Sequence, residues 1–156
     1  MLADIALARA LHVLAVVHWI GGVAMVTWVI LPALRDRATD DPIAMFERIE
    51  GRFSWQAKIS TLLAGSSGFY LTDRLFAWER FAEPAFWWMH AMVAVWAIFT
   101  FVLFVAEPLF LHRWFHARAE RDPASTLKLV IRMHRVLLTA SLVTVAGAVI
   151  GTHGGL

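Results

Sequence analysis

Seven histidines are spread through a chain that is 60% hydrophobic. Their depth in its apolar runs decides what they can do. His12 and His18 lie in the run Ala10–Leu34, which holds no Asp, Glu, Lys or Arg, and His90 lies in a second such run, Pro84–Ala106. An imidazole in hydrocarbon is costly without a partner, so each is expected to bind something. His12 is about seven residues in from the outer end of a first span expected at about 5–31, and His90 about six in from that of a span expected at 84–106, which sets both at nearly one level at ~1.5 Å per residue. Two imidazoles at one depth on facing helices are what haem b needs as axial ligands. Arg9, one turn outward of His12, is placed to pair with a propionate, and Ala15, Ala94 and Ala97 offer small surfaces beside a flat macrocycle.

The other histidines read differently. His18 is near mid-membrane and His134 just within the cytoplasmic boundary, a depth difference of roughly 6 Å on straight helices. They are expected to serve a second haem, a quinone pocket or a proton path, or simply to hydrogen-bond between helices. His112 and His116 have i, i+4 spacing, with Glu120 a turn further on, but Arg113 and Arg118 beside them oppose a cation. That stretch reads as a solvated or headgroup-facing surface, and His153 is assigned no role. Met25, Met89 and Met92 offer a competing chemistry, soft ligation of Cu(I), although methionine is also ordinary packing material.

The elements that must position these residues are helices. The 156-residue chain has 17% charged residues, a mean hydropathy of +0.64 and no cysteine, which excludes disulfides, iron–sulfur clusters and thioether-linked haem. The expected fold is all-α: a single integral membrane domain, a four-helix bundle over residues 1–156. Its spans are expected at about 5–31, 53–72, 84–106 and 127–152, joined by cytoplasmic connections 32–52 and 107–126. Pro32 is expected just past the first span, Glu107-Pro108 to kink the third, and Asp122-Pro123 to open the fourth helix as N-cap and first residue. Ile43, Phe46 and Ile49, after Asp41-Pro42, are expected on the inner leaflet, with Glu47, Arg48 and Glu50 in water. In the second span, Thr61, Gly65, Gly68 and Thr72 form a small-residue stripe suited to close helix approach. The first run is too long for a signal peptide and lacks a basic leader, so it reads as a retained span.

Orientation follows from charge. The two connections and their flanks carry Arg35, Arg37, Arg48, Arg52, Lys58, Arg113, Arg118, Arg121, Lys128, Arg132 and Arg135, eleven of the 14 basic residues. Only Arg9, Arg74 and Arg80 fall on the other side. The positive-inside rule then puts both termini outside, on the periplasmic face of a bacterial inner membrane. A net charge of +2 argues against nucleic acid as a partner.

With ALHVLAVVHWIGGVAMVTWVILPAL in span one, FERIEGRF before span two and WWMHAM opening span three, the chain resembles a superfamily of small four-helix membrane proteins. That superfamily joins the copper resistance protein D (CopD) family to the HemJ-type protoporphyrinogen oxidases. The resemblance implies a four-helix bundle and, on the HemJ side, haem b held by a histidine matching His12. Where HemJ-type oxidases carry a lysine two residues after the span-three histidine, this chain has Met92. The function expected from residues and resemblance together is a b-type cytochrome, a redox subunit in the lipid bilayer. It would pass electrons between a quinone or quinol and other subunits of a redox complex, with one haem on His12 and His90 and room in the pattern for a second. CopD-like copper transport and HemJ-like porphyrin oxidation are the alternatives.

Overall fold

The computed structural model describes residues 2–36 and 42–154, and among them every long element is helical. The expectations for Arg37, Asp41 and the Ile43 side chain fall outside the described residues. The chain makes four rods. The first is α1 (Leu2–Met25), a π-helical turn (Val26–Ile30) and α2 (Leu31–Asp36). The second is α3 (Pro42–Arg74). The third is α4 (Trp87–Phe101), a π-helical segment (Val102–Leu111) and α5 (His112–Arg121), and the fourth is α6 (Pro123–Thr152). The first, third and fourth are long and apolar enough to cross a membrane. The second, the most polar of the expected spans, falls short on composition alone.

Both prolines expected to end or kink a helix lie in or just after π-helical segments, and neither ends its helix. A proline ring collides with the carbonyl four residues back and supplies no N–H. Widening to i→i+5 geometry moves that carbonyl aside. Pro108 sits inside the π segment Val102–Leu111, and Pro32 is the second residue after the π turn Val26–Ile30, in a first rod that runs on past it to Asp36. Asp122 caps α6 as expected: its Oδ1 accepts from the Ser125 N–H at 3.0 Å, with Pro123 at the first helical position. Three buried hydroxyls are satisfied within their own helices, Thr27 on the Val23 carbonyl (2.6 Å), Ser141 on Leu137 and Thr144 on Ala140 (both 2.8 Å), whereas those of Thr61 and Thr100 have no partner among the described residues.

The second rod lies against the first and third, and the fourth against the third and first, so the first and third rods stand across from one another. At the end holding the chain termini, the Tyr70 hydroxyl and Arg74 guanidinium both donate to Asp4 Oδ2, at 2.8 and 3.2 Å, tying α3 to α1. The small-residue stripe of α3 takes a ring rather than a bare helix. Trp96 of α4 donates its indole N–H to the Thr61 carbonyl at 2.9 Å, and a Cβ added at Gly65 would lie 2.5 Å from its Nε1. On α6, Gly147 and Gly151 receive Trp87 and Trp88 in the same way. Gly65→Ala is therefore expected to cost ~1–3 kcal/mol by overpacking, measured as a lower unfolding midpoint in detergent. The same change at Gly21, where an added Cβ meets nothing within 4 Å, serves as control.

At the opposite end, the connection end, Phe46 is not at a lipid surface. It is buried with Val26, Leu31, Leu34, Leu127, Val130 and Ile131 in a core that joins the first, second and fourth rods. Residues 42–52 are thus the first turns of one long helix that packs inward, because an aromatic ring gains more from a closed core than from the interface.

Candidate functional site

Each rod sends a side chain into one partly open cavity of about 110 Å³ near the connection end. Its walls are aromatic: Trp19 from α1, Phe46 and Phe53 from α3, Phe99 from α4 and Phe115 from α5. Its polar groups are Glu50 and Ser54 of α3, Glu107 of the π segment and His134 of α6. Apolar walls with a few convergent polar groups are the usual form of a small-molecule site.

The polar groups differ in how well they are paired. Glu107 is well held: Ser54 donates to its two oxygens at 2.9 and 3.0 Å, and Lys58 Nζ stands 3.4 Å from Oε2. Glu50 has no such support among the described residues. Burial strips water from its carboxyl, and the charges of Glu107 and Glu47 add to the effect, so its pKa is pushed up to about 7. His134 lies 3.0 Å from the Val130 carbonyl through Nδ1. A carbonyl only accepts, so Nδ1 carries the proton and Nε2 keeps its lone pair. The ring meets Phe46 edge to face, centroids 5.8 Å apart. Trp19 is 3% exposed and stands edge-on to Phe99 at 4.7 Å, yet its indole N–H has no hydrogen-bond partner among the described residues. A buried tryptophan N–H normally finds one.

The histidines expected to share an iron are not brought together. His12 faces α3, its Nδ1 3.0 Å from the Ala64 carbonyl and 3.1 Å from Ser67 Oγ, with Gly68 against its edge. His90 is on the exposed face of α4, its ring 5.3 Å from Phe81. Their two rods stand across from one another, and each ring has its own partners on other elements. Ala15 is buried as expected, whereas Ala94 and Ala97 turn outward, and Arg9 and His18 are exposed. Trp96 lies against Gly65 of α3, and Trp87 and Trp88 lie against Gly147 and Gly151 of α6. The cavity is well short of the ~300–1,000 Å³ that encloses a drug-sized ligand. That cavity is lined by neither His12 nor His90, and the two rings are turned to different partners. Met89 and Met92 pack with Trp88 and Phe81 while Met25 is exposed on α1, so the three expected copper ligands belong to separate surroundings.

Glu50, Ser54, Lys58, Glu107 and Trp19 were not assigned to a site from the sequence. A signal was there: Glu47, Glu50, Ser54 and Lys58 recur at helical spacing on one face of α3, and Glu107 is the only acid between Glu83 and Glu120. No family model, no curated protein and no solved structure matches this chain.

Proposed function

We propose that the protein is a four-helix bundle of the bacterial cytoplasmic membrane, both termini outside, whose inner half binds the ring of a quinone or quinol and exchanges protons with it. The orientation rests on the eleven basic residues clustered at the connection end. The observation that carries the ligand is the unpartnered Trp19 N–H in one aromatic-walled cavity with Glu50 and the bare Nε2 of His134. A quinone presents a flat ring and carbonyl oxygens that accept from an N–H; a quinol presents hydroxyls that donate to an imidazole nitrogen or a carboxylate. The cavity is of the order of the ~150 Å³ that takes up a benzene ring, and an isoprenoid tail would remain in lipid. Reduction of the ring takes two electrons and two protons. Glu50 and His134 handle protons at the inner side, and a redox partner subunit supplies or removes the electrons.

The test is titration of the detergent-purified protein with a short-chain ubiquinone, followed by tryptophan quenching. Saturable binding is expected, weakened about tenfold by His134→Phe and by Glu50→Leu, each of which removes one hydrogen-bonding group. Quenching that is linear in quinone, or unchanged in both variants, rejects the reading.

A second reading rests on His12. Its Nδ1 is committed to a backbone carbonyl and its Nε2 left bare, which is how metal-bound imidazoles are usually oriented. That favours a haem held through His12, as the resemblance to HemJ-type proteins implies, without His90 as its partner. A reduced-minus-oxidised spectrum lost in His12→Ala and kept in His90→Ala is the result expected of it.

A further inference from the structure

At the water-facing margin of the connection end, a second group of side chains converges from two rods. His112 and His116 project from successive turns of α5, rings edge to face at 4.6 Å, and Glu47 reaches them from α3 with Oε1 at 3.1 Å from His116 Nε2. One donor atom from each residue lies within 4.8 Å of the others. In a tetrahedral site with bonds of ~2.0–2.2 Å, donors stand ~3.4 Å apart, so small side-chain rotations close this set on an ion. The carboxylate comes from Glu47, not from Glu120 as the i, i+4 spacing alone suggests. The arginines expected to oppose a cation are engaged elsewhere. Arg113 donates to the Leu109 carbonyl at 2.9 Å, and Arg118 donates to Ser125 Oγ at 2.9 Å while lying over the Trp114 ring.

We propose that Glu47, His112 and His116 form a binding site for a first-row divalent cation of the zinc class, with water completing the coordination. Two imidazoles and one carboxylate suit zinc, whereas magnesium and calcium require a mostly oxygen shell. All three ligands are partly exposed, so the ion exchanges directly with the aqueous phase, and Glu47 makes it a clamp between α3 and α5. The site stands independently of what fills the cavity.

The experiment is calorimetric titration of ZnCl₂ into the full-length, tag-free protein in lipid nanodiscs, repeated with Co²⁺ and read by its visible d–d absorption. One equivalent is expected, with a four-coordinate cobalt spectrum and no competition from excess Mg²⁺. Loss of a ligand should weaken binding by more than the ~10–100-fold typical of losing an outer-shell partner, in Glu47→Gln and in the double change His112→Gln/His116→Gln. His153→Gln, altering an exposed histidine elsewhere, should bind as the parent does. Failure of the parent to take up zinc, or undiminished binding in the double variant, overturns the site. If the double variant does not fold, Glu47→Gln decides alone: retained affinity rejects the proposal and lost affinity upholds it.

Discussion

Glu50→Gln is expected to stabilise the protein by ~1–3 kcal/mol above pH ~7 and to change little below pH ~4.5. The folded state holds the Glu50 proton up to about pH 7, because burial and the charges of Glu107 and Glu47 oppose ionisation. An unfolded chain releases that proton near the ordinary value of 4.5. Between these limits the folded state binds more protons than the unfolded one, so stability is full below the lower value and is lost as pH rises through the upper. Glutamine keeps the shape and removes the titration. The groups facing Glu50 are Glu47 on its own helix, Glu107 with its partner Lys58, and His134 from α6. Subtracting variant from parent midpoints, measured by denaturant titration across pH 4 to 9, isolates Glu50 from these and from other carboxylates. A difference that stays flat with pH shows that Glu50 titrates as an ordinary surface glutamate. On the quinone reading, the same substitution also flattens the pH dependence of ligand affinity between pH 5 and 8.

How much of this was legible beforehand depends on whether a property runs along a helix or around it. Position along the chain reads well. The charge-free runs, the Asp122-Pro123 start of α6 and the closely packed stripe of Gly65 and Gly68 follow from composition and spacing, and each has its counterpart in the structure. The pairing of His12 with His90 rests on depth alone. What it left out is azimuth. Each helical residue turns the side chain by ~100°, so the direction of a ring depends on which face a rod presents to its neighbours. In hydrophobic runs that are apolar all round, the sequence carries almost no moment to fix that face. The partner of His12 proved to be a backbone carbonyl on α3, an acceptor every residue supplies and no motif marks.

The π-helical segments show the same limit from another side. Pro32 and Pro108 announce that something must give, but whether the helix stops, kinks or widens is decided by what surrounds it. Here the widened turn keeps the third rod continuous, so Glu107 meets Ser54 and Lys58 and Phe115 reaches the cavity. The amphipathic stretch around Glu50 predicts a water-facing carboxylate. Phe46, one turn earlier, is drawn into the core of the connection end, and the face it shares turns inward with it.

Trp19 separates a packing residue from a ligand-facing one, because its two substitutions are expected to diverge. Trp19→Ala removes a ring that is 3% exposed and packed on Phe99, and is expected to cost ~3–5 kcal/mol in unfolding free energy. Trp19→Phe keeps most of that ring and deletes only the N–H. An unpaired buried donor costs ~1–3 kcal/mol, so its loss offsets the smaller volume, and the empty protein should stay within ~1 kcal/mol of the parent. If the N–H serves a carbonyl of the bound ring, quinone affinity should nevertheless fall about tenfold in Trp19→Phe. The intrinsic change in fluorescence is controlled by following binding calorimetrically. Unchanged stability with weakened binding assigns the indole N–H to the ligand. Unchanged binding removes Trp19 from the site and leaves it as the ring on which α1 rests against Phe99. A loss of several kcal/mol in Trp19→Phe itself would mean that the N–H is paired in the folded protein, and that the cavity lacks the donor on which the quinone assignment depends.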